Sequence, residues 1–337
     1  MIITLKTGTT DKQVEELVNN IKEKGFGVHL SKGENLTIIG LLGDTSGIET
    51  EQFEVYPIVD KVKRISAPYK MASRAFHPED SVIKVGDVTF GGNGMIPVIA
   101  GPCSVETEEQ VVSIARDVKA AGAKLLRGGA FKPRTSPYSF QGLGEKGLQF
   151  LVTAKKETGL PIVTELMDIR QLKYFDDVDV IQIGARNMQN FDLLKEMGKV
   201  GKPILLKRGM AASVKEFLMS AEYIMASGNE NVILCERGVR TFDNYTRNCL
   251  DVSIVPYLHK VSHLPIIIDP SHACGLRWMV GDLAKSAVAV NADGLIIEVH
   301  NNPEKALCDG EQSLHPTEFA DLMKVLPKIS EINGRSM

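Results

Sequence analysis

The chain has 337 residues, enough for a barrel of about 250 residues and a small partner domain. Hydrophobic residues make up 43% of it, yet no apolar run is long enough for a membrane-spanning helix. A net charge of −3 excludes a surface that is one continuous nucleic-acid footprint, so any cationic cluster must be local. The opening Met1-Ile2-Ile3-Thr4-Leu5-Lys6 has none of the marks of a signal peptide. The five cysteines are scattered, odd in number and without a CxxC pair, which reads as reduced thiols in a cytoplasmic protein.

In chain order, residues 1–65 read as a small α+β unit. Ile2 to Leu5 is strand-like, and Val14, Leu17, Val18 and Ile21 follow helical spacing after the starters Thr10 and Asp11. Strands at Gly27–Leu30 and Leu36–Leu42 flank a polar turn at Lys32-Gly33-Glu34-Asn35. A weaker helix over 48–56 and a strand from Val59 to Ile65 complete a βαββαβ order, the ferredoxin-like pattern. The unit carries no acid-base constellation, so it reads as a regulatory or interface domain. Residues 66–80 lack periodicity and contain two prolines, which suggests a linker. In 81–95, Val82–Val85 and Val88–Phe90 form a hairpin around Gly86-Asp87.

From residue 96 to about 330, eight short apolar runs alternate with helical stretches. They are 98–100, 124–126, 162–164, 180–183, 204–206, 232–234, 266–268 and 295–297. Near-continuous apolar runs mark parallel strands buried on both faces. Gly122, Gly159, Gly201, Gly228 and Gly294 fall where left-handed helix caps are wanted. The fold class is therefore α/β: a (β/α)8 TIM barrel preceded by a ferredoxin-like α+β domain, with a doubly wound sheet as the alternative.

A barrel places its active site at the C-terminal ends of its strands. The residues just beyond the second, fourth, fifth and sixth runs include Arg127, Lys132 and Arg134, then Arg186, then Lys207 and Arg208, then Arg237. Four cationic exits in a slightly acidic protein point to a small, multiply anionic substrate, because guanidinium groups pair bidentately with phosphate and carboxylate. Cys103 follows the first run, His272 the seventh and Glu298 the eighth, exits that become contiguous when a barrel closes. Asp309 can reach back from the loop after the eighth. Thiolate, imidazole and carboxylates suit Mn2+, Fe2+, Co2+ or Zn2+, and such an ion would act as a Lewis acid towards a carbonyl. Taken one at a time, Cys103 reads rather as a buried small hydrophobe, His272 as a hydrogen-bonded turn residue and Asp309 as a solvated loop acid, and it is their joint adjacency that raises the metal site. Lys207 also admits a Schiff-base role, against which Arg208 and the metal set both argue.

Long motifs then carry a family resemblance: IAGPCSVE at 99–106, LRGGAFKPRTSPYSFQGLG at 126–144, IQIGARNMQNF at 181–191, LLKRG at 205–209, LCERGVRTFD at 234–243 and DPSHA at 269–273. The chain resembles 3-deoxy-D-arabino-heptulosonate 7-phosphate (DAHP) synthases, in the subgroup with an N-terminal ferredoxin-like domain. The resemblance implies a transferase that condenses phosphoenolpyruvate with D-erythrose 4-phosphate, the first step of the shikimate pathway towards aromatic amino acids. It implies that Arg127, Lys132, Arg186, Lys207, Arg237 and the backbone at Ala185 hold phosphoenolpyruvate, and that Arg134 and Thr135 take the aldose phosphate. It gives Cys103, His272, Glu298 and Asp309 as the ligands of a divalent metal ion. Lys132, as proton donor, and His272 are the catalytic candidates. Cys274 and Cys308 would add thiols near that ion or be inert loop residues. His29 and Ser31 match inhibitor-contacting positions, which implies an aromatic amino acid as feedback effector, and family likeness suggests a cytoplasmic homotetramer. The alternatives are a 3-deoxy-D-manno-octulosonate 8-phosphate synthase and a catalytically dead amino-acid sensor.

Overall fold

The computed structural model describes residues 1–33, 36–43, 45, 48–64, 68–134 and 136–337. It divides into two compact units, Met1–Asp80 with His259–His263, and Ser81–Leu258 with Leu264–Met337.

The first unit runs β1 (Ile2–Leu5), α1 (Asp11–Glu23), β2 (Gly27–Lys32), β3 (Thr37–Leu42), α2 (Glu51–Glu54) and β4 (Val59–Lys63). Thr10 and Gln13 close a capping box at the start of α1, whose Val14, Leu17 and Ile21 are buried with Ile3, Ile39 and Leu41 of the sheet. The strand order β2-β3-β1-β4, antiparallel throughout, is ferredoxin-like. The second helix is a single turn rather than the 48–56 segment, held by buried Phe53. Glu34, Asn35 and Ile65, which the sequence placed in a turn and a strand end, lie outside the described residues.

The segment that reads as a linker contributes buried Tyr69, Met71, Ala72 and Phe76. Phe76 lies over Gly40, where a Cβ would stand 1.7 Å from its ring, and stacks on His29 at 4.8 Å. His263 Nε2 bonds the Met71 carbonyl at 2.6 Å, and burial drives this imidazole from 6.5 down to about 3. Below pH 6.5 the unfolded chain therefore takes up a proton that the folded chain refuses. The stability involved is whole above pH 6.5 and is lost as pH falls towards 3, at about 1.4 kcal/mol per unit. Lowering the pH from 6.5 to 5 is expected to cost roughly 2 kcal/mol from this group in urea unfolding. His263→Gln should flatten that slope, and identical slopes in both proteins would refute the assignment.

The second unit begins with the hairpin β5 (Ile83–Val85) and β6 (Val88–Phe90). Eight barrel strands follow: β7 (Val98–Gly101), β8 (Leu125–Arg127), β9 (Ile162–Glu165), β10 (Val180–Ile183), β11 (Ile204–Lys207), β12 (Val232–Glu236), β13 (Ile266–Ile268) and β14 (Leu295–Glu298). All pair in parallel, and β14 closes onto β7 with Glu298 opposite Gly101. The barrel helices are α3 (Glu108–Ala120), α4 (Glu145–Thr158), α5 (Phe191–Met197), α6 (Val214–Ala226), α7 (Ile254–Val261), α8 (Pro270–Cys274), α9 (Arg277–Ala289) and α10 (Pro316–Ser330), while β9 and β10 are joined by a 3-10 segment, Ile169–Tyr174.

Ile83, Val85, Val88 and Phe90 share one apolar cluster with Ile99, Leu125, Val163 and Ile296 inside the barrel. The hairpin thereby closes the end where the strands begin and leaves the opposite mouth open. Gly159 caps α4 in the left-handed region at φ 73°. Gly201 and Gly294 do not adopt that conformation. Gly294 is required for space instead, since a Cβ there would meet Ile267 at 2.8 Å and the Pro97 carbonyl at 3.0 Å.

Candidate active site

Six of the eight barrel strands run one or two residues further than their apolar runs, while β10 and β13 end with theirs. Arg127, Glu165, Lys207, Glu236 and Glu298 are the last residues of β8, β9, β11, β12 and β14, and all are buried. A parallel closed sheet carries these side chains to one mouth.

On one side of the mouth, Cys103, His272, Glu298 and Asp309 each offer a donor atom, and the four atoms lie within 4.8 Å of one another. Each is placed by its own local structure. Asp269 caps α8, with Oδ1 accepting from the His272 N–H at 2.9 Å and Oδ2 lying 2.8 Å from His272 Nδ1. One carboxylate so fixes both the helix start and the ring, and His272 Nε2 turns towards Glu298 Oε1 at 3.3 Å and Asp309 Oδ2 at 3.8 Å. Asp309 holds φ 50°, a left-handed conformation that a non-glycine residue adopts at a cost, and its Oδ2 accepts from Cys103 Sγ at 3.3 Å.

The electrostatics suit a cation. Burial drives His272 down to about 4, so its imidazole is neutral at pH 7 with a lone pair available on Nε2. Burial alone would raise the Asp309 and Glu298 carboxyls. Instead His272 with Arg247 holds Asp309 well below the carboxylate range, and His272 with Arg127 lowers Glu298. The thiols of Cys103 and Cys308 share a hydrogen bond that keeps the proton on Cys103, leaving Cys308 the more acidic at about 6. Cys308 also accepts from Arg134 NH1 at 3.0 Å. Cys274 points elsewhere, bonding the Pro270 and Leu276 carbonyls at 3.2 and 3.3 Å.

The other side of the mouth is a cavity of about 300 Å³ lined by Lys132, Arg134, Arg186, Arg237 and Arg247, with His272 and Asp309 at its wall. Lys132 Nζ donates to the Cys103 carbonyl at 2.9 Å and to Sγ at 3.0 Å, so it bridges the two halves. Burial opposes its charge, but Cys103, Glu165 and Glu298 outweigh burial and raise its pKa, keeping it protonated. Arg127 NH2 pairs with Glu298 Oε1 at 2.9 Å, while its NH1 is buried without a hydrogen-bond partner. An unpaired buried donor costs about 1–3 kcal/mol, a cost that an anionic oxygen would remove. Ala185 and Arg186 open a 3-10 turn beside Gly184, whose lack of a side chain admits the Glu165 carboxylate.

Lys207 does not line this cavity. It is ion-paired behind it with Asp269, which opposes a Schiff-base role because that chemistry needs the free amine. Arg208 is likewise spent on Glu236 at 2.8 Å and Asp251 at 3.1 Å. Thr135 lies outside the described residues. His29 and Ser31 lie on β2, in the chain's other unit.

Four residues at the site had no role in the sequence reading. Asp269 orients His272, Gln312 Nε2 donates to Glu298 Oε2 at 2.6 Å, and Arg247 and Glu165 line the cavity. Asp269 carried a signal as an acid directly ahead of Pro270 at a helix start, and Glu165 as the residue just beyond the third apolar run.

Known proteins are similar to this chain, some of them over nearly its whole length. A model described as the DAHP synthetase I family matches residues 69–333, and one described as the DAHP synthase ferredoxin-like domain matches residues 1–67. The phospho-2-dehydro-3-deoxyheptonate aldolase of Thermotoga maritima is 50% identical over 335 residues, 99% of this chain and 99% of the relative. The 2-dehydro-3-deoxyphosphooctonate aldolase of Syntrophotalea carbinolica is 34% identical over 269 residues, 74% of this chain and 96% of that protein. Among solved structures, the phospho-2-dehydro-3-deoxyheptonate aldolase (DAHP synthase) of Thermotoga maritima superposes with a TM-score of 0.79 at 48% identity, covering 99% of this chain and 98% of that one. A truncated 3-deoxy-D-arabino-heptulosonate 7-phosphate synthase from the same organism gives 0.74 at 48% identity, over 79% of this chain and 98% of that one.

Proposed function

The chain belongs to the DAHP synthetase I family, and from that premise we propose that it condenses phosphoenolpyruvate, D-erythrose 4-phosphate and water to DAHP and inorganic phosphate. The observation that carries this reading is the abutment of a four-donor cluster and a five-cation cavity in one mouth, bridged by Lys132. The two substrates bring two phosphates and a carboxylate, so a cavity with this excess of cations matches their charge.

In the proposed assignment, Arg127, Lys132, Arg186, Arg237, the backbone N–H at Ala185 and, from behind, Lys207 hold the enolpyruvyl phosphate and carboxylate. The orphaned NH1 of Arg127 supports that placement. Arg134 and Thr135 take the aldose phosphate, which sets the aldehyde carbon beside C3 of the enol. Cys103, His272, Glu298 and Asp309 would hold a divalent ion of the Mn2+, Fe2+, Co2+ or Zn2+ type, and such an ion supplies Lewis acidity for the aldehyde oxygen. C3 attacks the aldehyde carbon, and the protonated Lys132 gives its proton as negative charge builds on the new alkoxide. Water adds at C2, and C2–O cleavage then expels phosphate and leaves the keto acid. The clustered guanidinium groups stabilise the phosphate as it leaves.

The experiment follows phosphoenolpyruvate consumption with erythrose 4-phosphate before and after EDTA, with Mn2+ added back. Chelation is expected to cut the rate by at least about a hundredfold, and Mn2+ to restore it. Full activity after chelation would discard the four-ligand site. Arabinose 5-phosphate outrunning erythrose 4-phosphate would move the chain to the phosphooctonate branch of its relatives. No turnover with either acceptor would favour an amino-acid sensor. For the ferredoxin-like domain we propose feedback inhibition by an aromatic amino acid at the surface carrying His29 and Ser31, within a cytoplasmic homotetramer. Tyrosine and phenylalanine titrations of wild type and His29→Ala, with light scattering, test both ideas.

A further inference from the structure

We propose that Arg247 and Asn248, in the loop after β12, form a brace that sets three of the four candidate metal donors and ties them to the anion-binding loop of Arg237. The inference rests on the metal reading above and adds positioning residues to it. Arg247 NH1 lies 3.5 Å from Asp309 Oδ2 and donates to Gln312 Oε1 at 3.0 Å. Gln312, itself buried, passes the interaction on through Nε2 to Glu298 Oε2 at 2.6 Å. With Oε2 held by Gln312, the lone pairs of Oε1 are left to face Arg127 and His272. Asn248 serves the third donor: its Nδ2 donates to the His272 carbonyl at 3.0 Å, and its backbone N–H to the Ala273 carbonyl at 2.8 Å. The Arg247 N–H reaches the Cys274 carbonyl at 2.9 Å, so the dipeptide is stitched along α8.

The same dipeptide is fastened to Arg237. The loop leaves β12 at Arg237-Gly238 and returns through an antiparallel bridge in which Val239 and Cys249 exchange two hydrogen bonds of 2.9 Å. Gly238 sits at the crossing with φ 87°, and a Cβ there would stand 2.7 Å from the Asn248 Cβ and 3.1 Å from the Ala273 Cα. Loop, returning strand and helix therefore meet in van der Waals contact. A displacement of Arg237 by a bound anion would move the supports of His272, Asp309 and Glu298 together.

The test is Co2+ binding to the metal-stripped full chain, followed by its absorption bands, alongside KM for each substrate. Arg247→Met and Gln312→Leu are each expected to weaken Co2+ by at least about tenfold, the usual effect of removing an outer partner of a metal ligand. Because they break one chain of bonds, the double variant should lose little more than either single one. If Arg247→Met does not fold, Arg247→Lys, which keeps the charge and loses the reach to Gln312, should show the same loss at smaller size. Gln312→Leu leaves Arg247 at the cavity and so separates the readings. Unchanged Co2+ affinity in every variant, with KM for erythrose 4-phosphate raised only in the Arg247 ones, would make Arg247 a phosphate contact and overturn the brace. Failure of the wild-type chain to bind Co2+ would instead sink the metal reading itself.

Discussion

His272→Ala is expected to lower kcat by at least about a hundredfold at saturating Mn2+ while the barrel stays folded. The loss of rate follows from the donor set. His272 supplies its only nitrogen, and its Nε2 faces both carboxylates of the cluster. Lewis-acid assistance is worth several kcal/mol, and each 1.4 kcal/mol or so is a factor of ten in rate. Folding should survive because the buried Asp269 carboxylate keeps its ion pair with Lys207 and its cap on α8. An Asp269→Asn variant should fall in the same direction by a different route: the ring loses its carboxylate partner and Lys207 its counter-charge. Steady-state kinetics at several Mn2+ concentrations separate weakened metal binding, which excess ion repairs, from a lost ligand, which it does not. A kcat for His272→Ala within twofold of wild type would remove the residue from the chemistry.

The fold was legible where burial leaves a periodic trace. Strands buried on both faces read as unbroken apolar runs, and α1 announced itself through Thr10 and the Val14, Leu17 and Ile21 stripe. Where a run stops short of the true strand end at Lys207 and Glu298, the last residue is a buried charged side chain of the site or of its support. Function overwrites the hydrophobic pattern at the point where it is exercised. Residues 68–80 leave no such trace for another reason. Phe76 packs on Gly40 across more than thirty residues of chain, and a contact so distant leaves no local periodicity.

In the site, Cys103, His272 and Glu298 could be grouped because barrel closure brings β14 beside β7. Asp309 was only reachable, and its inclusion leaned on family likeness. Arg247 and Gln312 were not legible. Arg247 lies in an irregular loop and Gln312 ends a short 3-10 turn, and what places them is a hydrogen-bond chain that runs from residue 247 through 312 to 298.

Arg127→Met is expected to destabilise the metal-free protein by about 3–5 kcal/mol, because it leaves the Glu298 carboxylate buried without its cation. The pair as a whole is worth much less than that figure. Two charges were taken out of water to form it, and removing both returns that cost, so Arg127→Met with Glu298→Leu should unfold within about 1–2 kcal/mol of wild type. A divalent ion changes the comparison. In the single variant Glu298 still has the donor geometry for a cation, so Mn2+ should recover part of the lost stability, rising with ion concentration as binding to the folded state alone requires. In the double variant a ligand is gone and Mn2+ should recover little. Activity separates the roles again: the single variant is expected to lose kcat/KM for phosphoenolpyruvate, because NH1 is the buried donor that substrate would satisfy. Urea unfolding of the two variants with and without Mn2+ measures all of this. A single variant within about 1 kcal/mol of wild type would mean that Glu298 is protonated or hydrated in the metal-free site, and that Arg127 serves the substrate alone.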